Sequence, residues 1–152
     1  MISSFLIGLV AGARALTPLA VVSEAARADT LPKDNGAPSW LGHPLAAGGI
    51  KVLAAGELWG DKLHSAPDRI VPAGLAARLV TGALSGAALA PRKRALAGAL
   101  LGAAAAVGAA YVTFELRRRA MARFGQTPSG VVEDALTVGL AELVVTRARG
   151  GR

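Results

Sequence analysis

Residues Ala95 to Phe114 read ALAGALLGAAAAVGAAYVTF, twenty positions without a charge, with Arg92-Lys93-Arg94 before them and Arg117-Arg118-Arg119 after. Twenty helical residues rise about 30 Å, the thickness of a bilayer's hydrocarbon core. The stretch predicts a membrane-crossing helix with basic residues at both ends, where membrane proteins place them.

The rest of the chain fits that setting. Its 152 residues are 53% hydrophobic but only 4% aromatic, and 19 are Gly, so the apolar mass is mainly Ala, Leu and Val. A water-soluble core of Ala and Gly would bury little area per residue. In lipid, helix association rests on close contact, and small residues permit it. The formal charge is +7. Because the cations flank apolar runs, they speak for a lipid bilayer as partner and against nucleic acid. Cys is absent, which excludes disulfides, thiolate metal sites and Cys nucleophiles. Near the start, Ala13-Arg14-Ala15 looks like a cleavage site after an apolar stretch, but no Lys or Arg precedes it. A retained first membrane helix is expected there rather than a signal peptide.

Five apolar segments can be drawn: Ile2 to Ala28, Leu45 to Leu63, Pro72 to Ala90, the opening run, and Ser129 to Thr146. Ala and Leu dominate and strand alternation is absent, so all read as helix. The expectation is an all-α, polytopic transmembrane bundle, one domain over 1–147 with a basic flexible tail at 148–152. The first segment is expected to break at Thr17-Pro18. Lys and Arg divide almost evenly between the two sides of a five-span arrangement, so they give no orientation. Trp40, in the polar loop Thr30 to Pro44, is a candidate interfacial anchor.

Gly8/Gly12, Gly56/Gly60, Gly82/Gly86 and Gly98/Gly102 each form G-x-x-x-G, one per segment in the first four. Such pairs let a neighbouring backbone approach, either within the chain or in a homo-oligomer. Packing within the chain is the preferred reading.

Three features bear on function. First, Thr17 to Ala25 aligns with Thr127 to Ala135 at five identical positions, and Glu24 falls opposite Asp134. Each copy reads as a helix start, with Thr as N-cap and Pro at the first helical position. Val and Ala are common in this chain, so the match also has a chance reading. As a true repeat it would resemble the duplicated broken helices of secondary transporters, whose exposed ends meet near the midplane. Second, Glu57, Asp61 and His64 are spaced i, i+4, i+7 and share a helix face, a weak candidate set for a metal ion or a proton relay. The alternative is a structural polar cluster paired with Arg69 or Arg78. Third, Arg14, Lys51 and Arg78 lie inside apolar segments. A charge at the bilayer centre costs at least roughly 2.5–3.5 kcal/mol, so these cations should face the interior and pair with Glu24, Glu57, Asp61, Glu133, Asp134 or Glu142. No G-x-S-x-G, H-E-x-x-H or P-loop pattern occurs, and no cofactor is indicated.

Gly12-x-Arg14-x-x-Thr17-Pro18, Glu57-x-x-x-Asp61-Lys62-Leu63, Pro67-x-Arg69-x-x-Pro72, Arg78-x-x-x-Gly82-Ala83-x-x-Gly86 and Glu133-Asp134 together resemble a family of small bacterial integral-membrane proteins classed as a domain of unknown function. The likeness covers nearly the whole chain and is most specific from Glu57 to Arg69. Where that family often has Pro after Asp-Lys-Leu, this chain has His64. The resemblance implies insertion in the bacterial inner membrane and carries no activity with it.

The expected function is binding or transport of a small solute or ion along a path lined by Arg14, Thr17, Glu24, Glu57, Asp61, Arg78, Glu133 and Asp134. The alternative is a structural or accessory membrane protein whose buried charges only hold helices together. A membrane enzyme acting on a lipid head group through Glu57 and Asp61 is a third reading.

Overall fold

In the computed structural model, which describes residues 1–60 and 72–150, the chain is all-helical, with no strand among the described residues. Six helices follow one another: α1 (Ile2–Ala13), α2 (Leu16–Arg27), α3 (Pro44–Gly60), α4 (Pro72–Ala88), α5 (Ala95–Phe124) and α6 (Gln126–Gly150). Short 3-10 turns at Ser39–Gly42 and Arg92–Arg94 precede α3 and α5.

Proline explains two of the boundaries. A proline ring clashes with the carbonyl four residues earlier and supplies no N–H to bond it. Pro18 thus forbids helix across Arg14, and α1 ends at Ala13 with Arg14 extended (φ −137°, ψ 119°). Pro128 acts in the same way on Phe124, the last residue of α5, and Gly125 turns the chain at φ +85°. The break expected at Thr17-Pro18 therefore falls at Arg14-Ala15, and Thr17 and Pro18 lie inside the first turn of α2. Thr17 makes no capping bond; the N-cap position is Ala15. α6 continues to Gly150, past the start of the expected tail at 148, and Ala148 packs against the core.

Neighbouring contacts give the directions. Methyl groups built at Gly8 and Gly12 would meet Ala105 and Ala109 in turn, so α1 runs parallel to α5. Those at Gly82 and Gly86 would meet Ala106 and then Gly98, so α4 runs antiparallel to α5. Lys51 reaches Glu24 while Glu57 reaches Ala15, so α3 runs antiparallel to α2. Beyond α2, the Gly36 N–H donates to Ala90 O at the head of α5 (2.9 Å). Successive helices thus alternate in direction, and the α1–α2 break sits level with Thr113 on α5.

Three of the four G-x-x-x-G pairs knit α1, α4 and α5. A methyl at Gly12 would lie 2.6 Å from the Ala106 carbonyl oxygen and one at Gly98 would lie 2.6 Å from that of Gly86. Gly102 faces the Gly82 carbonyl, and the Gly8 face meets the Gly102 carbonyl, so both neighbours close on one residue. Nothing described lies near Gly56 or Gly60.

Among the described residues one helical stretch, Arg92–Phe124, is long and apolar enough to cross a membrane; α1 is apolar but shorter. Polar side chains share the interior with an apolar core, and large apolar side chains cover much of the outside. Arg14, Arg78, Thr81, Ser4, Ser23 and Ser85 are buried, while Leu45, Val52, Trp59, Leu96 and Leu143 are exposed. Apolar atoms on a protein surface are ordinary; buried polar groups beneath a coat of large apolar side chains are the informative observation.

Replacing Gly102 by Leu is expected to destabilise the fold by more than the 1–3 kcal/mol typical of overpacking, about 3 kcal/mol or above, because backbone rather than a movable side chain blocks the space. Gly56→Leu is expected to change stability by about 0.5 kcal/mol or less. Unfolding midpoints of the two variants in detergent provide the check.

Candidate functional site at the helix break

Interrupting a helix strands backbone groups on both sides: carbonyls at the end of α1 and N–H groups at the start of α2. In a low-dielectric interior these groups need partners. The chain supplies them from three other helices.

On the α2 side, Glu57 of α3 accepts from two backbone donors. The Ala15 N–H donates to Oε1 and the Leu16 N–H to Oε2, each at 2.9 Å. The carboxylate thus caps α2 from outside and lies at the positive end of the helix dipole. On the α1 side, Arg78 of α4 donates from Nε to Gly12 O at 3.0 Å and from Nη1 to Gly74 O of its own helix at 2.9 Å. A cation thereby meets the negative end of the α1 dipole. Thr113 Oγ1, which donates to Ala109 O at 2.8 Å, lies 3.3 Å from the same Gly12 oxygen.

Between the two helix ends, Arg14 turns inward and is 1% exposed. Its guanidinium bonds Asp134 Oδ1 of α6. The adjacent residue, Glu133, points instead to α5, where Arg117 Nη1 donates to Oε2 at 2.7 Å. One helical step separates the two carboxylates by about 100°, so α6 is fastened to the break and to α5 at one level. Thr17, also buried, stands in the first turn of α2, and its hydroxyl has no hydrogen-bond partner among the described residues.

The fold thus brings together Arg14, Thr17, Glu57, Arg78 and Asp134, with Glu133 one step away. Glu24 does not join them, which corrects its place on the expected path. It sits near the far end of α2, where Arg27 (Nε to Oε2, 2.8 Å) and Lys51 (2.7 Å) bond it. The Arg27 and then the Lys51 hydrogen bonds hold its carboxyl down to about 2. Being exposed, the cluster adds little to stability. Lys51, expected inside the bundle, is exposed with it. Asp61 and His64 lie outside the described residues; Glu57, the third member of the candidate metal set, has each carboxylate oxygen engaged by a backbone donor.

The two Thr-Pro copies occupy unlike settings. Thr17 is buried and Thr127 exposed; the Glu24 side chain is 34% exposed and that of Asp134 13%. Both helices do begin two residues before their Pro, α2 at Leu16 and α6 at Gln126. Among the described residues a remote acidic cap is present at the first; at the second, Ser129 Oγ donates to Gly125 O (2.7 Å).

Thr113 is the contributor that the sequence reading passed over. Its signal was weak, a lone hydroxyl at the end of the apolar run.

Two cavities lie near this level. One, of about 460 Å³, opens between α1, α5 and α6 and is walled by Leu9, Val10, Leu116, Val132, Leu136 and Leu140, with Arg117 and Glu133 at one end. The other, of about 540 Å³, runs along α1 and α5 past Phe5, Leu9, Leu101 and Val112. Neither is lined by Arg14, Glu57, Arg78 or Asp134. Comparison with family models, with curated proteins and with solved structures gives no match.

Arg14→Ala is expected to cost about 3–5 kcal/mol, because it leaves the Asp134 carboxylate sequestered without its guanidinium. The double variant Arg14→Ala/Asp134→Ala should be more stable than Arg14→Ala alone. Glu57→Ala should cost about 1–3 kcal/mol through the two stranded α2 donors. Thermal unfolding of the detergent-solubilised variants reads all three.

Proposed function

We propose that this chain is a multi-pass membrane protein of structural or accessory type, in which the buried charges lock an interrupted helix. The observation that carries the proposal is the match between charge and helix end: carboxylate on the α2 N-terminus, guanidinium on the α1 C-terminus, and the guanidinium of the break residue on α6. In broken-helix transporters the free helix N-terminus faces an anionic solute. Here Glu57 fills that position. The apolar walls of the two cavities also favour a lock over a solute path.

The multi-pass reading is supported by the buried Arg14 and Arg78 and by the large exposed apolar side chains of α3, α4, α5 and α6, α5 being long and apolar enough to cross. The α1–α2 hairpin, two helices of 12 residues each, is about 18 Å deep. It would enter from the side of the N-terminus without crossing. The likeness to small bacterial integral-membrane proteins, and with it the inner membrane as location, belongs to the same proposal.

A second reading keeps a small solute or ion at the break. The buried Thr17 hydroxyl, a turn from the Glu57 carboxylate and without a described partner, favours it. Thr17→Ala separates the two: the lock tolerates it, whereas a solute site loses binding.

Topology is testable because the chain has no Cys. Single cysteines at Asp34 and Lys93 are expected to react alike with a membrane-impermeant maleimide in sealed vesicles, and one at Arg123 oppositely. Equal labelling of all three would remove the crossing helix.

A further inference from the structure

We infer that the cleft between α5 and α6 is a binding groove for a phospholipid with an anionic head group. The inference rests on the membrane reading above. α5 and α6 are joined at Gly125 and fastened by Arg117–Glu133, yet they do not close along their length, and α1 forms the floor of the gap.

The cleft is lined in register. On α6, Ser129, Val132, Leu136 and Leu140 fall on one stripe; on α5, Thr113, Leu116 and Ala120 do. At about 460 Å³ the volume is in the range of small-molecule sites. Its walls are mainly hydrocarbon from Leu9 and Leu140 as far as Leu116, interrupted by Thr113 and Thr137, and the charged groups lie at the Arg117 end. A ligand that fits has an apolar body and one polar end.

Charge complementarity fixes the sign of that end. Continuing the α5 stripe beyond Ala120 reaches Arg123, an exposed cation. Within the lining Arg117 is neutralised by Glu133, so the exposed Arg123, one turn beyond Ala120, sets a net positive charge at this end. The apolar wall lies on the membrane side of these cations, and each basic residue near an anionic surface contributes about 1 kcal/mol. The second cavity shares Leu9 and Thr113 with the first and leads away along α5 to Leu101. It offers further apolar surface beyond the cleft, away from the charged end.

Native mass spectrometry of the full-length protein in detergent tests this, with phosphatidylglycerol and phosphatidylcholine of the same acyl chains as probes. Phosphatidylglycerol is expected to bind about tenfold more tightly. Arg123→Gln should narrow that preference, and Ala120→Trp, which fills the cleft, should abolish binding of both. Val132→Trp fills it from α6 and serves if Ala120→Trp does not fold. Equal binding of the two lipids, binding of neither, or undiminished binding to the folded Trp variant would overturn the inference. Carbonate extraction of the same membranes separates the two failures: protein in the supernatant removes the membrane reading, whereas protein in the pellet without lipid preference removes the groove alone.

Discussion

A single steric fact, the clash of the Pro18 ring with the Arg14 carbonyl, governs the centre of this molecule. It ends α1, strands backbone groups on both sides of Arg14, and turns the Arg14 side chain inward. Everything gathered at that level answers the resulting demand. Glu57 takes the donors, Arg78 takes an acceptor and Asp134 takes the guanidinium. The four charges sum to zero, which is the condition under which ionised groups persist in a low-dielectric interior.

Packing around the break relies on small residues. Glycines on α1, α4 and α5 bring backbones into direct contact, and the bulky side chains are turned outward. Close backbone contact substitutes for the hydrophobic core that Leu and Phe would otherwise form. A compact apolar cluster does exist, where Ile7, Val10, Val22, Leu41, Leu89 and Val145 meet, away from the break. The bundle therefore has an apolar end that needs no charge and an ionic level that depends on it.

Helical class and the role of three glycine pairs were legible in the sequence, because residue size and composition determine both. Part of the cluster was legible too: an ionised side chain in an apolar segment must find a partner, and Arg14 and Arg78 do, whereas Lys51, expected inside by the same argument, is exposed. The partners themselves were not legible. Arg14 takes Asp134, 120 residues away, and no local pattern encodes a tertiary pairing. Glu57 looked like half of a metal set; that it caps a distant helix depends on where α3 docks. Glu24 was misplaced because its match to Asp134 is local, whereas exposure is set by neighbours. Thr17 was misread as the cap because the sequence signature of a helix start shows a proline and a hydroxyl residue, but not the carboxylate that arrives from another helix.

The parallel contact between α1 and α5 has a consequence for how the protein is made. α1 leaves the ribosome well before α5, yet the face that receives it belongs to residues 102–109, and Asp134 comes later still. At about 5–20 residues per second, on the order of ten seconds separate Arg14 from its counter-ion. During that interval the N-terminal hairpin has neither its packing surface nor its caps. Its final placement is thus a late event that waits on α5 and α6, and until they emerge the Arg14 guanidinium must stay hydrated.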